Sequence, residues 1–261
     1  YAGEKDAKTA LSEAVAIRRA LRDDEKVIAD ARLFIRNYGA KDPKTSAEAM
    51  YAMTDVYRRK GAPDLEKHLR EFLRLYAGAD PTIRARATLE LAESMWKRSC
   101  AVPGVDGLCL KVERGRVLPV AVKGKSTPTA TRCGSASATT IAVASRDPKM
   151  VAQASTFLKE AIKLAMSSPS PDMTSFEARA SLLLADQQLE AAVAVRFPSD
   201  LDFSPERQRT KEASLKKFND FVQTRTRLGA SAQQAYQRIL ALKDPSMAIA
   251  ATQRMGMLPQ A

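Results

Sequence analysis

At 261 residues, with 45% hydrophobic and 28% charged side chains and few aromatics, the chain has ample material for a core and a composition that favours helices over sheets. No apolar run is long enough to span a bilayer as a helix, which excludes a transmembrane segment of that kind. The net charge is +12, densest in residues 99–146 with seven basic against two acidic side chains; the flanking helical sequence mixes both signs as solvated surfaces do, which disfavours nucleic acid as the partner.

The chain opens on Tyr1 rather than methionine, which predicts a mature or excised piece. Residues 7–21 read as a first helix. DDEKVIADARLFIRNYG predicts a second, with Asp23 or Asp24 as N-cap and Gly39 as its stop. Val27, Ile28, Ala31, Phe34, Ile35 and Tyr38 fall on one face of it. A third helix is predicted over 46–60, capped by Thr45 or Ser46 and ended by Gly61. Its apolar face holds Ala49, Met50, Met53, Val56 and Tyr57. A fourth is predicted over 64–77 behind Asp64, with Leu65, Leu69, Phe72, Leu73 and Tyr76 inward. A fifth covers 82–98 and carries Leu89, Leu91, Ala92, Met95 and Trp96.

These helices alternate in two types. FIRNYGAKDP at 34–43 returns as FLRLYAGADP at 72–81, 38 positions later, ending the second and fourth helices. The third and fifth match at an offset of 39, pairing Met50 with Leu89, Ala52 with Leu91, Met53 with Ala92 and Tyr57 with Trp96. One helix pair cannot bury its apolar face alone, so pairs recurring at this interval predict stacking into a helical solenoid. Phe34, Tyr38, Tyr57, Phe72, Tyr76 and Trp96 are then repeat-packing residues. Asp-Pro opens the next unit twice, and proline at a first helical position costs nothing because its missing N–H has no partner there.

The pattern resembles the tetratricopeptide repeat over residues 7–98 and, more loosely, 147–196. That family repeats at about 34 residues, whereas the spacing here is 35–39, with Met53 or Thr54 where the family has glycine and Leu65 where it has a small residue. The resemblance implies an all-α, right-handed helical-hairpin solenoid that binds another protein through a concave groove. It also implies a place in a bacterial envelope assembly for secretion, motility or cell-wall work, in the periplasm, with the cytoplasm as the alternative.

Helical periodicity stops at Ser99. Residues 99–146 form an irregular insert in which LCLKVE and RVLPVAVKG are predicted to pair as a hairpin around Arg114-Gly115, and KGKSTPTATRCGSASA reads as loop. Helical sequence resumes at Pro148, where Phe157, Ala161 and Leu164 fit the second helix of a unit; the insert therefore lies between two helices of one hairpin. A strong helix is predicted over 174–196. After it, residues 197–261 read as capping helices. Ser204 caps a long helix with Pro205 first and Gly229 as its end, followed by two short helices over 231–243 and 245–256.

Candidate chemistry is sparse. Cys100, Cys109 and Cys133 all lie in or beside the insert, where one disulfide would staple a block with little core. Three pairings are possible, and a bridge from Cys100 or Cys109 to Cys133 is favoured. Their spacing matches no common zinc pattern, and the sole histidine, His68, sits on a distant helix, so neither metal nor cofactor is implied. His68 follows Lys67 beside its helix's apolar line, which predicts a surface or boundary place rather than catalysis. GKST at 124–127 ends like a phosphate-binding loop, but Pro119 stands where the earlier glycine is required. Asp23-Asp24 read as a cap, and Glu90 with Glu93 as a solvated face.

Arg58, Arg59 and Lys60 recur as Lys97 and Arg98 at matching helix ends. With Arg114, Arg116, Lys123 and Lys125 they would form one basic binding edge, although cations at helix C-termini also simply complement the helix dipole. No residues at catalytic spacing stand out, so the expectation is a non-enzymatic scaffold. The rival is a regulatory module that binds nucleic acid or another polyanion through the basic insert. Oligomeric state is not set by any feature of the sequence.

Overall fold

The computed structural model describes residues 6–102, 107–116 and 137–258, with the backbone alone at 112–116 and 137–141. It is mostly helical. Ten α-helices run in order among the described residues: α1 (Ala7–Ala20), α2 (Asp24–Tyr38), α3 (Pro43–Ala52), α4 (Thr54–Lys60), α5 (Ala62–Leu75), α6 (Pro81–Ser99), α7 (Pro148–Ser167), α8 (Pro171–Val193), α9 (Gln208–Ala241) and α10 (Pro245–Met257). Between α6 and α7, strands β1 (Leu110–Arg116) and β2 (Ser137–Val143) pair antiparallel, with Leu110 opposite Val143 and Arg116 opposite Ser137.

One start signal is used repeatedly. Asp42, Asp80, Asp147 and Asp244 each accept a backbone N–H from the first turn of the helix they cap, and each precedes a proline at the first helical position. Ser170 does the same before Pro171. The side chain satisfies an otherwise orphaned donor, while the proline has none to orphan and its φ is already helical.

Each helix packs chiefly on its neighbours in sequence. Three apolar clusters result, joined by α6, α7 and α8; α7 places Ala154 in the first and Leu158, Ala161 and Ala165 in the second. α6 sends Ala87, Leu91, Met95 and Trp96 into a first cluster with α1 to α5, and Ala85, Leu89 and Ala92 into a second with α7 and α8. α8 sends Met173, Phe176 and Ala180 into that second cluster, and Ala178, Ala185 and Leu189 into a third with α9, α10 and the start of β1. Phe34 and Phe72 are both fully buried in the first cluster, each with its own following tyrosine ring beside it, Tyr38 at 5.3 Å and Tyr76 at 5.6 Å. Burial of each phenylalanine contributes roughly 1.5–3 kcal/mol.

Several boundaries differ from the sequence expectation. The third helix begins at Pro43 behind Asp42, not behind Thr45 or Ser46, and tightens at Met53, whose N–H reaches back three residues to Met50 O. The fourth begins at Ala62, which leaves Asp64 in its first turn rather than at the cap. α8 starts three residues earlier than predicted because Pro171 begins it. Arg114 and Gly115 lie inside β1, not at a turn, and β1 pairs with SATTIAV rather than with RVLPVAVKG. Residues 117–136 are outside the described set.

The largest correction concerns the tail. Ser204 and Pro205 do not open α9, which starts at Gln208 and runs without interruption through Gly229 to Ala241. The backbone at Gly229 is not left-handed, so the residue has no stop signal to give, and apolar spacing continues beyond it to bury Ala232, Tyr236 and Ile239.

Candidate functional site

The root of the insert is where the chain leaves its helical pattern, and its bonds build the site. Cys100 and Cys109 are joined by a disulfide, so the favoured bridges to Cys133 are replaced by the shorter loop; Cys133 itself lies outside the described residues. The two cysteines are brought together because the chain returns antiparallel beside itself: Ala144 N donates to Cys109 O at 2.8 Å, Ala101 N to Ser145 O at 3.0 Å and Asp147 N to Ser99 O at 2.7 Å. Gly107 turns this loop at φ +88°, a conformation that a side chain would strain.

Arg146 closes the root. Its guanidinium lies 3.9 Å above the Trp96 ring. Nε and Nη2 form a fork on Glu190 of α8, both at 2.6 Å. Nη1 donates to Trp96 O at 2.8 Å and Ser99 Oγ at 2.9 Å, and Nη2 also reaches Gly107 O at 3.2 Å. All five donors of the fork are thereby engaged. Cys109 N donates to Glu190 Oε1 at 2.7 Å, and Trp96 Nε1 to Gly107 O at 3.2 Å. One buried ion pair thus ties α6, α8 and both arms of the insert together.

Above this floor opens a cleft of about 760 Å³, walled by Glu93, Lys97, Leu183, Ala101, Val102 and Gly107 over Trp96 and Arg146. Glu93 accepts two bonds from Arg179 Nη2, at 2.7 and 2.8 Å. Burial raises its carboxyl above the usual range against the pull of Arg179. Lys97 stands exposed at the rim. The cleft therefore offers a floor of Arg146 stacked on the buried Trp96, apolar wall residues Ala101, Val102 and Leu183, the paired carboxylate of Glu93 and one exposed cation, Lys97. The cysteines at its edge are bonded to each other and supply no nucleophile.

A second buried pair is anchored on α8. Asp186 accepts from Tyr236 Oη at 2.7 Å and from Arg254 Nε at 3.3 Å, binding α8 to α9 and α10. Desolvation pushes its carboxyl up to about 6, ahead of the opposing effects of Arg254 and Tyr236.

The predicted basic edge is neutralised at Arg58, Arg59 and Arg98. Arg58 binds Asp55 and, at 2.8 Å, Glu90; Arg59 binds Asp24; Arg98 binds Glu66 at 2.7 Å. Their helix-end positions place them opposite carboxylates of neighbouring helices, so they join helices through paired charges. Lys97 alone of the helix-end set lines the cleft. Arg114 and Arg116 lie on β1, and Lys123 and Lys125 are outside the described residues.

Glu90 and Glu93 are not a solvated face: Glu90 takes Tyr51 Oη at 2.8 Å as well as Arg58, and Glu93 holds Arg179. His68 is also not at the surface. It is buried, with its ring stacked on Tyr57 at 4.4 Å, and desolvation brings its imidazole down to about 4 against Glu71 and a Met50 backbone bond. Trp96 and Tyr57, matched by position in sequence, both pack in the first cluster.

Sequence reasoning missed Arg146, Gly107, Glu190 and Asp186. A signal existed for the last two. In LLLADQQLEAAVAV both acids fall on the face that carries Leu182 and Leu189, and a carboxylate on an apolar helix face needs a buried partner. No protein-family model, curated protein or solved structure matches the chain.

Proposed function

We propose that this protein is a non-enzymatic protein-binding scaffold: a tetratricopeptide-like helical solenoid whose insert-walled cleft is a contact point for another protein. One observation carries this. The cleft of about 760 Å³ is held open by a floor whose polar groups are all committed to internal bonds, so it supplies fixed shape and apolar surface. Preformed, partly apolar clefts are where binding energy concentrates. Arg58, Arg59 and Arg98 already hold carboxylates, which weakens the rival polyanion reading. The disulfide at the cleft's edge favours an oxidising compartment, and a periplasmic, envelope-associated setting is part of this proposal.

The test is capture from the native host under oxidising conditions, using the wild-type chain and a Val102→Glu, Leu183→Glu variant. Envelope proteins held by the wild type and lost by the variant support the reading. Identical capture by both removes the cleft from it, and recovery of RNA or DNA, abolished on neutralising Arg114, Arg116, Lys123 and Lys125, replaces it.

A further inference from the structure

The long helix α9 carries a seam of apolar side chains, interrupted at Arg225 and Gly229, that the fold covers only in part. Positions 211, 215, 218, 222, 225, 229, 232, 236 and 239 alternate steps of four and three, the spacing by which two helices interlock. In the C-terminal half the seam is Ala232, Tyr236 and Ile239, exposed by 0%, 0% and 1% and packed in the cluster with α8 and α10. In the N-terminal half the same seam is Leu215, Phe218 and Val222, exposed by 41%, 37% and 41%. The connection after α8 covers the adjacent flank and touches the seam at one point: Phe197 packs edge-on against Phe221 at 5.3 Å and Phe218 at 6.2 Å, and Ser214 Oγ accepts from Asp202 N at 2.9 Å.

The charges on the seam define what fits it. Lys211 and Arg225 close the exposed stretch at its two ends, 14 residues apart, and the Arg225 guanidinium lies over the Phe221 ring at 5.7 Å. A second copy of this chain would set cation against cation in either orientation, which opposes self-pairing. Residues 117–136 carry Lys123, Lys125 and Arg132 and no acid, so their charge does not match either. An anionic lipid surface is opposed by the carboxylates of Glu212 and Asp220, which flank the seam.

We propose that residues 211–225 of α9 dock one amphipathic helix of a partner protein, with carboxylates at the two seam positions that meet Lys211 and Arg225. This surface shares the protein-binding reading but is separate from the cleft. Leu215, Phe218 and Val222 supply the contact, and the two cations set register and reject basic partners.

The probe is a fluorescent peptide of about three heptads with leucine along its seam and glutamate at two seam positions spaced to meet Lys211 and Arg225; that spacing serves both orientations. A twin peptide carries lysine at those two positions. Fluorescence anisotropy on the intact chain is expected to show the glutamate peptide binding at least about tenfold tighter than its twin. Phe218→Ser, on an exposed side chain, abolishes this binding with an unchanged circular dichroism spectrum. Lys211→Glu with Arg225→Glu reverses the preference, while Val102→Glu, at an exposed cleft residue, leaves it intact, so the two surfaces fail or succeed separately. Equal binding of the two peptides, or no saturable binding of either, overturns the proposal. So does a wild-type dimer in sedimentation that Phe218→Ser converts to monomer, or Phe218-dependent capture by phosphatidylglycerol vesicles without peptide binding.

Discussion

The first apolar cluster and the region around the insert root and α8 to α10 hold their helices by different means. In the first, Phe34, Leu69, Phe72, Leu91 and Trp96 fill the interior, and ion pairs such as Arg58 with Glu90 and Arg59 with Asp24 stay at its margin. In the second, the charges are inside: Arg146 with Glu190, and Arg254 with Asp186, are buried on both sides. A buried pair is costly to desolvate and adds little net stability, but it has far fewer acceptable geometries than a methyl contact. Where the chain repeats itself, non-directional packing suffices. Where it departs from the repeat, directional bonds fix how the pieces dock.

That contrast is broken most directly at Glu190. Glu190→Ala leaves Arg146 buried without its anion and should cost about 3–5 kcal/mol by denaturant unfolding, whereas Glu90→Ala at the margin of the first cluster should cost about 1 kcal/mol or less. Equal costs would erase the distinction. On the apolar side, Phe34→Ala and Phe72→Ala should each cost about 3–5 kcal/mol, because both rings are fully buried in the same cluster. A large difference between them would mean the repeated phrase does not fill equivalent gaps.

Acid titration sharpens the comparison next. The imidazole of His68 is held down at about 4 by burial, so the folded state refuses a proton that the unfolded state accepts below about 6.5. Its contribution is complete above that value and disappears as pH falls through 4. The stability gap between wild type and His68→Phe should therefore shift by on the order of 3 kcal/mol across this window. Asp186, raised to about 6, acts with opposite sign: its contribution is full below the ordinary carboxylate value and is lost as pH rises through 6. Against Asp186→Asn, the wild type should lose ground as pH rises. Parallel pH profiles would remove either group from the account.

Cys100→Ser with Cys109→Ser should lower stability by about 2–3 kcal/mol, since the closed loop is short. Hydrogen exchange should locate the loss at the insert root, with the first cluster unaffected. Smallest of all, Gly229→Ala should stabilise the protein by about 0.5–1 kcal/mol, because the glycine is helical and a Cβ there meets nothing within 4 Å. Destabilisation instead would show that α9 bends or separates at that point.

The amino-acid sequence alone determined that the chain is mostly helical, and it marked α2, α5 and α6 closely, because apolar spacing, Asp-Pro starts and the doubled phrase are local signals read within one or two turns. It also placed the break in periodicity at Ser99 and brought the cysteines into one block. Helix ends were misplaced where a proline start was overlooked or a glycine was taken for a stop, as at Pro171 and Gly229. Only the tertiary structure decided which cysteines join, that β1 pairs with 137–143, that Arg146 reaches Glu190 across 44 residues, and that Arg58, Arg59 and Arg98 are spent on neighbouring helices. The physical reason is range. A cap or an apolar stripe is set by residues a few positions apart, whereas a buried ion pair or a disulfide depends on where two distant segments meet, and no local preference carries that distance.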